Sequence, residues 1–147
     1  MVGFQTNYFP FNDLFFMMVG IGEVWANMLH NVYAVLVDER GFSAEKLTNP
    51  DGKEGNIVFM RLFMRSLSIQ PCNPSCKCYT FLPSVVGSYW WITLFPVVEA
   101  RDAWIQADAD LYNGANKCNL FQAFASRGLG LNADDSFVDD NTVPAGC

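Results

Sequence analysis

The sequence predicts a mainly α-helical fold, and three observations support the prediction. Apolar residues recur at steps of three and four in four separate stretches, which is the period of an amphipathic helix. Glycine, proline and Asn-Gly signals stand where these stretches end. Hydrophobic residues make up 51% of the 147 residues, which is enough for the core of one domain or of part of one. Four helices with one apolar stripe each must cover one another, so we expect a single helical unit.

The first predicted helix has the longest stripe. Its pattern ends just before Gly41, which is placed as the C-terminal stop because glycine readily adopts the left-handed conformation that ends helices. Residues 42–55 are rich in turn formers and are predicted to leave the helix. The stripe consists of Ile21, Val24, Trp25, Met28, Leu29, Val32 and Leu36.

The second predicted helix has a buried side and a solvent-exposed side. The residues predicted on the solvent-exposed side are Arg61, Arg65 and Ser68. Pro71 is predicted to end the helix, because proline has no backbone N–H and a fixed φ. The buried side is predicted to hold Ile57, Val58, Phe59, Leu62, Phe63 and Leu67.

The third predicted helix is broken by Asn113-Gly114, a pair that favours turns. Arg101, Asp108 and Asp110 are expected opposite its apolar face. A calcium loop starting at Asp108 is rejected, because the loop glycine and the closing glutamate are not at the required positions. The apolar face is predicted to hold Ala100, Ala103, Trp104, Ala107 and Leu111.

The fourth predicted helix is short and is stopped by Gly128 and Gly130. From Asn132 onward the chain is acidic and has no periodicity. This tail is expected to run extended over the surface. The buried positions of the helix are predicted to be Leu120, Phe121, Phe124 and Ala125.

Two stretches differ from the rest in composition. Residues 1–18 contain a single charge, Asp13, and residues 75–98 contain only Lys77. Within the second stretch, residues 84–98 are too short to cross a bilayer, which takes roughly 20 residues. We interpret residues 75–98 as an apolar insert, with translated non-coding sequence as a hypothesis for its origin. Residues 1–18 are interpreted as a similar foreign segment.

The charge excludes one class of partner. The formal net charge is −6, whereas phosphate contacts with a nucleic acid require a basic surface.

The first residues also lack the basic region of a secretory leader, and Pro10, Asn12 and Asp13 interrupt the apolar run there. We therefore expect no nucleic-acid partner, no membrane span and no signal peptide in this chain.

Two blocks resemble a known family. Residues 20–74 contain the segments IGEVWAN and IQPCNP, and residues 99–147 contain ARDAWIQAD, GANKC and AFASRGLG. In this order the segments resemble the carboxy-terminal helical part of fungalysins, which are secreted zinc metallopeptidases similar in fold to thermolysin-like enzymes. The resemblance implies four segments: a non-family segment at 1–18, a family block at 19–74, the insert at 75–98, and terminal helices with an acidic tail at 99–147.

The resemblance implies zinc chemistry whose ligands this sequence lacks. Fungalysins bind Zn²⁺ through an H-E-x-x-H helix, and the sequence has no such motif and only one histidine, His30. Glu23 matches a later family pattern that is not a ligand position, and His30 is interpreted as an ordinary helix residue. The family residue that stabilises the oxyanion is a histidine, and the aligned position here is Val19. We therefore assign no catalytic and no metal-binding residue.

Five cysteines are present. A zinc site at Cys72, Cys76 and Cys78 is rejected, because their spacing is not C-x-x-C and no second ligand pair follows. If the relative is secreted, as the resemblance implies, disulfides are expected. The predicted bridge joins Cys72 to Cys118, and Cys147 is left for a partner outside this chain.

The predicted function follows from the resemblance. We expect a fragment of a secreted zinc metalloendopeptidase, acting on protein or peptide substrates in the intact relative, and we expect this chain itself to be inactive. One alternative is a non-enzymatic secreted helical module that binds a partner through an apolar wall containing Trp25, Phe59 and Phe63. Another is a membrane-associated polypeptide anchored by residues 84–98.

Overall fold

The structure, a computed structural model, describes residues 14–70, 97–134 and 138–147, and its side chains from Glu23 onward. These ranges contain four α-helices: α1 (Leu14–Arg40), α2 (Gly55–Ser66), α3 (Val97–Tyr112) and α4 (Lys117–Ala125). Between the described residues there is one isolated parallel bridge, which joins Leu129 to Asp140. The predicted mainly α-helical fold is confirmed.

The four helices form a closed ring around one core. α1 packs against α2 and α4, and α3 packs against the same two helices from the opposite side. Each helix therefore buries its stripe against two neighbours, as expected for amphipathic helices that cannot leave that stripe in water. The core consists mainly of Met28, Val32 and Leu36 from α1, Val58 and Leu62 from α2, Trp104 and Ala107 from α3, and Leu120 and Phe124 from α4.

α1 ends where its sequence pattern ends. The helix stops at Arg40, and Gly41 has φ +78°, the left-handed conformation predicted for this position. The Gly41 N–H donates to the Val37 carbonyl at 2.8 Å, which closes the last turn. At the other end, the described part of α1 begins at Leu14.

α2 ends earlier than predicted. Its last residue is Ser66, and a turn follows over residues 67–70, so Pro71 is not what stops it. Pro71 itself lies outside the described residues. Leu67, which follows the last residue of α2, is not on the buried side as predicted but is 47% exposed.

Partly buried aromatic side chains pack against the buried aromatic residues of the core. The Phe59 and Trp104 ring centroids are 5.2 Å apart, and those of Phe63 and Trp104 are 6.3 Å apart. On the other side of the core, the Trp25 ring stacks on Phe124 at 6.0 Å. Trp25, Phe59 and Phe63, which were predicted to form an apolar wall, are partly buried and pack against the core of this chain.

α3 buries two charged side chains that were predicted to face water. Arg101 is only 4% exposed and Asp108 is fully buried, whereas Asp110 lies in solvent as predicted. The helix has neighbours on more than one side, namely α2, α4 and the chain after α4, so the face opposite the apolar stripe is partly covered too. The predicted break after α3 is confirmed by Asn113 and Gly114, which have φ +53° and +77°.

The acidic tail is held more tightly than an extended surface segment. The Asp140 N–H donates to the Gly128 carbonyl at 2.8 Å, and the Gly130 N–H donates to the Asp140 carbonyl at 2.7 Å. One step further, the Leu131 N–H donates to the Thr142 carbonyl at 2.8 Å. The tail therefore runs beside the segment that leaves α4.

Candidate functional site

The two side chains closest in type to zinc ligands lie about two helical turns apart on α1. Glu23 and His30 are both exposed on α1. A separation of seven residues on a helix corresponds to about 10 Å of rise, whereas zinc ligands each sit about 2 Å from the metal. In the part of the chain that the structure describes, no three His, Cys, Asp or Glu side chains are grouped so that they could hold a metal ion. The described residues therefore do not provide the three-ligand zinc site that the resemblance implies.

Val19, the residue at the predicted oxyanion position, lies in α1. Its side chain is outside the part that the structure describes, so its predicted position is not tested. The residue at position 19 is a valine, whose side chain has no hydrogen-bond donor.

The predicted disulfide is replaced by another. Cys118, near the start of α4, is bonded to Cys147, with their Cα atoms 5.1 Å apart. A sulfur atom forms only one disulfide bond, so Cys118 is not available to Cys72, which lies outside the described residues. Cys147 has its partner within this chain, contrary to prediction. The tail returns to α4, which brings the two cysteines together although they are 29 positions apart.

A buried polar pair connects α3 to α4. Asp108 accepts a hydrogen bond from the Asn116 backbone N–H at 2.9 Å and another from the Asn116 side-chain amide at 2.6 Å. Asn116 is the residue that precedes α4, and both side chains are fully buried. The carboxylate therefore satisfies donors at the start of a helix, which is a structural use and not a metal-binding one.

A charged pair on the surface connects α2 to α3. Arg65 donates from Nε and Nη2 to Asp110 Oδ2, at 3.1 and 2.6 Å. The Arg65 guanidinium, with the side-chain amide of Gln106 as a second donor, holds the pKa of Asp110 below its ordinary value of 3.8. The pair lies in solvent, where screening keeps the contribution of such contacts small.

Beside this pair is an open apolar groove, which was not predicted from the sequence. Met60 and Met64, one helical turn apart on α2, are 48% and 63% exposed, and Leu111 of α3 is 36% exposed. All three line the groove, with Arg61 and Arg65 also lining it. The four-residue spacing of Met60 and Met64 was visible in the sequence, but neither residue was assigned to the buried or to the solvent-exposed side of the predicted helix.

Comparison with known proteins places these features in a family. The profile of the fungalysin metallopeptidases (M36) matches residues 4–78 and 95–133. The match includes residues 4–18, which were interpreted as a non-family segment, and it leaves out 79–94, which lie within the predicted insert. The four-segment division and the origin of the insert stay predictions.

Curated relatives carry matching names. The chain is 35% identical over 150 residues to Extracellular metalloproteinase 2 of Arthroderma gypseum and to that of Trichophyton tonsurans, a match covering 97% of this chain and 20% of each relative. It is 36% identical over 134 residues to Extracellular metalloproteinase 3 of Arthroderma otae, covering 87% of this chain and 18% of that protein. The chain thus spans about a fifth of the length of these relatives.

One further finding concerns membranes. Within the described ranges, no helix combines the length and the apolar character that crossing a bilayer demands. Of residues 84–98, which were considered as an anchor, 84–96 lie outside those ranges. The order of the quoted segments, the helical architecture and the profile match agree, and the predicted resemblance is confirmed. The chain belongs to the fungalysin metallopeptidase family.

Proposed function

We propose that this chain is a helical part of a secreted zinc metalloendopeptidase and that, by itself, it does not hydrolyse peptide bonds. The supporting observation is the combination of a family match over most of the chain with a sequence that has no H-E-x-x-H motif. The relatives are named extracellular metalloproteinases, which supports secretion and protein or peptide substrates. These names do not favour the alternative of a non-enzymatic binding module.

In such an enzyme zinc activates the water that attacks the peptide bond. Because Glu23 and His30 do not fit a shared metal site, we assign no step of that reaction to them. What this chain supplies is a packed helical ring, in which α1 is held on two sides by α2 and α4. A rigid α1 would hold the residue at position 19 in a constant place relative to a metal bound elsewhere in the intact enzyme.

Position 19 is the point at which the proposal can be tested most sharply. We expect the family to have an oxyanion-stabilising histidine at this position, whereas the valine side chain has no hydrogen-bond donor. Loss of one such donor typically lowers the rate by about 10²- to 10³-fold. We therefore propose that even with a complete zinc site this chain would support only weak activity.

The experiment uses a chimera. The segment of Trichophyton tonsurans Extracellular metalloproteinase 2 that aligns with this chain is replaced by this chain, and kcat/KM is measured on a fluorogenic peptide. We expect Val19→His to raise kcat by about 10²-fold or more with little change in KM, because the new donor acts on the transition state.

Ala26→His is the matched control, since it adds an imidazole to an exposed position of the same helix. Equal activities of the Val19→His and Ala26→His chimeras, at equal secreted yield, would refute the assignment of position 19. The second part of the proposal, that this chain by itself does not hydrolyse peptide bonds, has its own test. The chain alone is incubated with casein, with and without a chelator. Chelator-sensitive cleavage by the chain alone, or one tightly held zinc ion per chain, would contradict it.

A further inference from the structure

Residues 138–147, called the strap below, are attached to the helical ring at two places. One attachment is a set of hydrogen bonds near the start of the strap, and the other is the disulfide at Cys147. The two attachments differ in chemistry, because only the second depends on oxidation.

The hydrogen-bonded attachment joins the strap to residues 128–132. Backbone bonds link Gly128, Gly130 and Leu131 to Asp140 and Thr142 at 2.7 to 2.8 Å. Side chains add to it: the Asn132 N–H donates to Asp140 Oδ2 at 2.8 Å, and the Thr142 hydroxyl donates to the same oxygen at 2.6 Å.

This attachment fits closely but is short. A Cβ at Gly130 would lie 2.5 Å from the Thr142 carbonyl oxygen and 2.7 Å from that of Asp140, so only glycine allows the strap to approach. Asp140 and Thr142 nevertheless lie near the surface, where water competes for the same hydrogen bonds. A few partly exposed hydrogen bonds with one bridge are a weak attachment, because neighbouring strands need more pairing to be stable alone.

The disulfide makes up for this weakness. It joins Cys147, at the far end of the strap, to α4, and so keeps residues 138–147 close to their partners even when the hydrogen bonds open. Such a tether raises the effective concentration of the strap at its binding segment. Gln122 of α4 adds one long contact, donating to the Cys147 carbonyl at 3.4 Å.

The strap pairs with a segment that contributes a residue to the core. Leu129 is 2% exposed and belongs to the core cluster, yet it lies in the non-helical segment that the strap pairs with. The buried Arg101 guanidinium donates to the Gly130 carbonyl in the same segment and lies over the Phe121 ring at 5.7 Å. Release of the strap would expose this segment to water.

We propose that the strap is a redox-dependent latch: it stays closed while Cys118 and Cys147 are oxidised and opens when they are reduced, with the four-helix ring intact. A dithiol reductant opens it by thiol–disulfide exchange, in which its two thiols become a disulfide and the two protein sulfurs become thiols. An oxidising compartment outside the cytosol keeps the latch closed.

Hydrogen exchange read by mass spectrometry, with and without dithiothreitol, tests this on the full chain. We expect exchange of the amides in residues 128–133 and 138–147 to accelerate by about thirtyfold or more on reduction, a factor typical of losing a disulfide. Exchange within α1, α2 and α3 should change little. Equal acceleration in all four helices would overturn the proposal, because the disulfide would then support the whole fold and not a local latch.

Two variants distinguish the effect of the Cys118–Cys147 disulfide from the effects of the other cysteines and of the hydrogen bonds. The double variant Cys118→Ser, Cys147→Ser should show fast exchange of the strap without reductant and no further change with it. In Asp140→Asn the hydrogen-bonded attachment is weakened while the disulfide remains, so its strap should exchange more slowly than that of the reduced wild-type chain. The latch would be refuted if residues 128–133 of the double variant exchanged as slowly as in the wild-type chain. It would also be refuted if Asp140→Asn accelerated exchange of the strap more than reduction does.

Discussion

At the scale of single residues, Asp108 has the most demanding environment. A fully buried carboxylate is costly unless donors surround it, and Asn116 supplies two at 2.6 and 2.9 Å. The same contact joins the end of α3 to the start of α4, where backbone N–H groups lack helical partners. The pair therefore stabilises the α3–α4 connection through one side chain.

Asp108→Ala is expected to lower the free energy of unfolding by about 3 kcal/mol, because it leaves the Asn116 donors buried without an acceptor. Asp108→Asn should cost less, since it keeps one acceptor oxygen. Urea denaturation followed by circular dichroism measures both. Asp110→Ala is the control, because it removes an exposed carboxylate two positions away. A loss for Asp108→Ala no larger than that of the control would contradict the structural role.

At the scale of elements, α1 and α2 approach each other closely at Gly55, the first residue of α2. Its N–H donates to the Gly41 carbonyl at 2.9 Å, so the start of α2 is held against the end of α1. A Cβ at this position would lie 2.1 Å from the Leu36 carbonyl oxygen and 2.5 Å from the Val37 nitrogen. Those atoms belong to a helix backbone and cannot move independently.

Gly55→Ala is therefore expected to destabilise the chain by about 1 to 3 kcal/mol, as overpacked positions do. The sign of the change in stability is informative, because Gly→Ala at an exposed helix position stabilises a protein by roughly 1 kcal/mol. A thermal melt gives the answer, and a Tm equal to or above that of the wild type would show that α1 and α2 can separate at no cost.

At the scale of the whole molecule, two surface carboxylates each join two parts of the chain. Asp110 joins α3 to α2 through Arg65, and Asp140 joins the strap to the segment after α4. The Thr142 hydroxyl, helped by the Asn132 N–H, holds the pKa of Asp140 below 3.8, as Arg65 does for Asp110. In both cases the folded state binds the proton more weakly than the unfolded state does.

The resulting stabilisation is complete above the ordinary pKa of 3.8 and is lost as the pH falls through the lower folded values. We expect the urea midpoint to fall on acidification below about pH 4, and the double variant Asp110→Asn, Asp140→Asn to show a smaller fall. High salt should reduce the Asp110 part, because that pair is exposed. If the urea midpoint of the double variant had the same pH dependence as that of the wild type, neither carboxylate would contribute to the loss of stability in acid.

Much of this protein could be predicted from its sequence. The four helices, the stop at Gly41 and the break at Asn113-Gly114 follow from local patterns, because a helical stripe and a left-handed residue are encoded by neighbours in the chain. Family membership also follows, since the matching segments are contiguous in sequence. The absence of an H-E-x-x-H motif is likewise a property of the sequence itself.

Only the tertiary structure decided which polar groups are buried and which cysteines pair. Arg101 and Asp108 have the same local pattern as exposed residues of a helix, and their burial depends on α4 and on the segment that follows it. Cys118 pairs with Cys147 because the strap folds back on α4. Such outcomes depend on which distant segments meet, and no pattern among sequence neighbours contains that information.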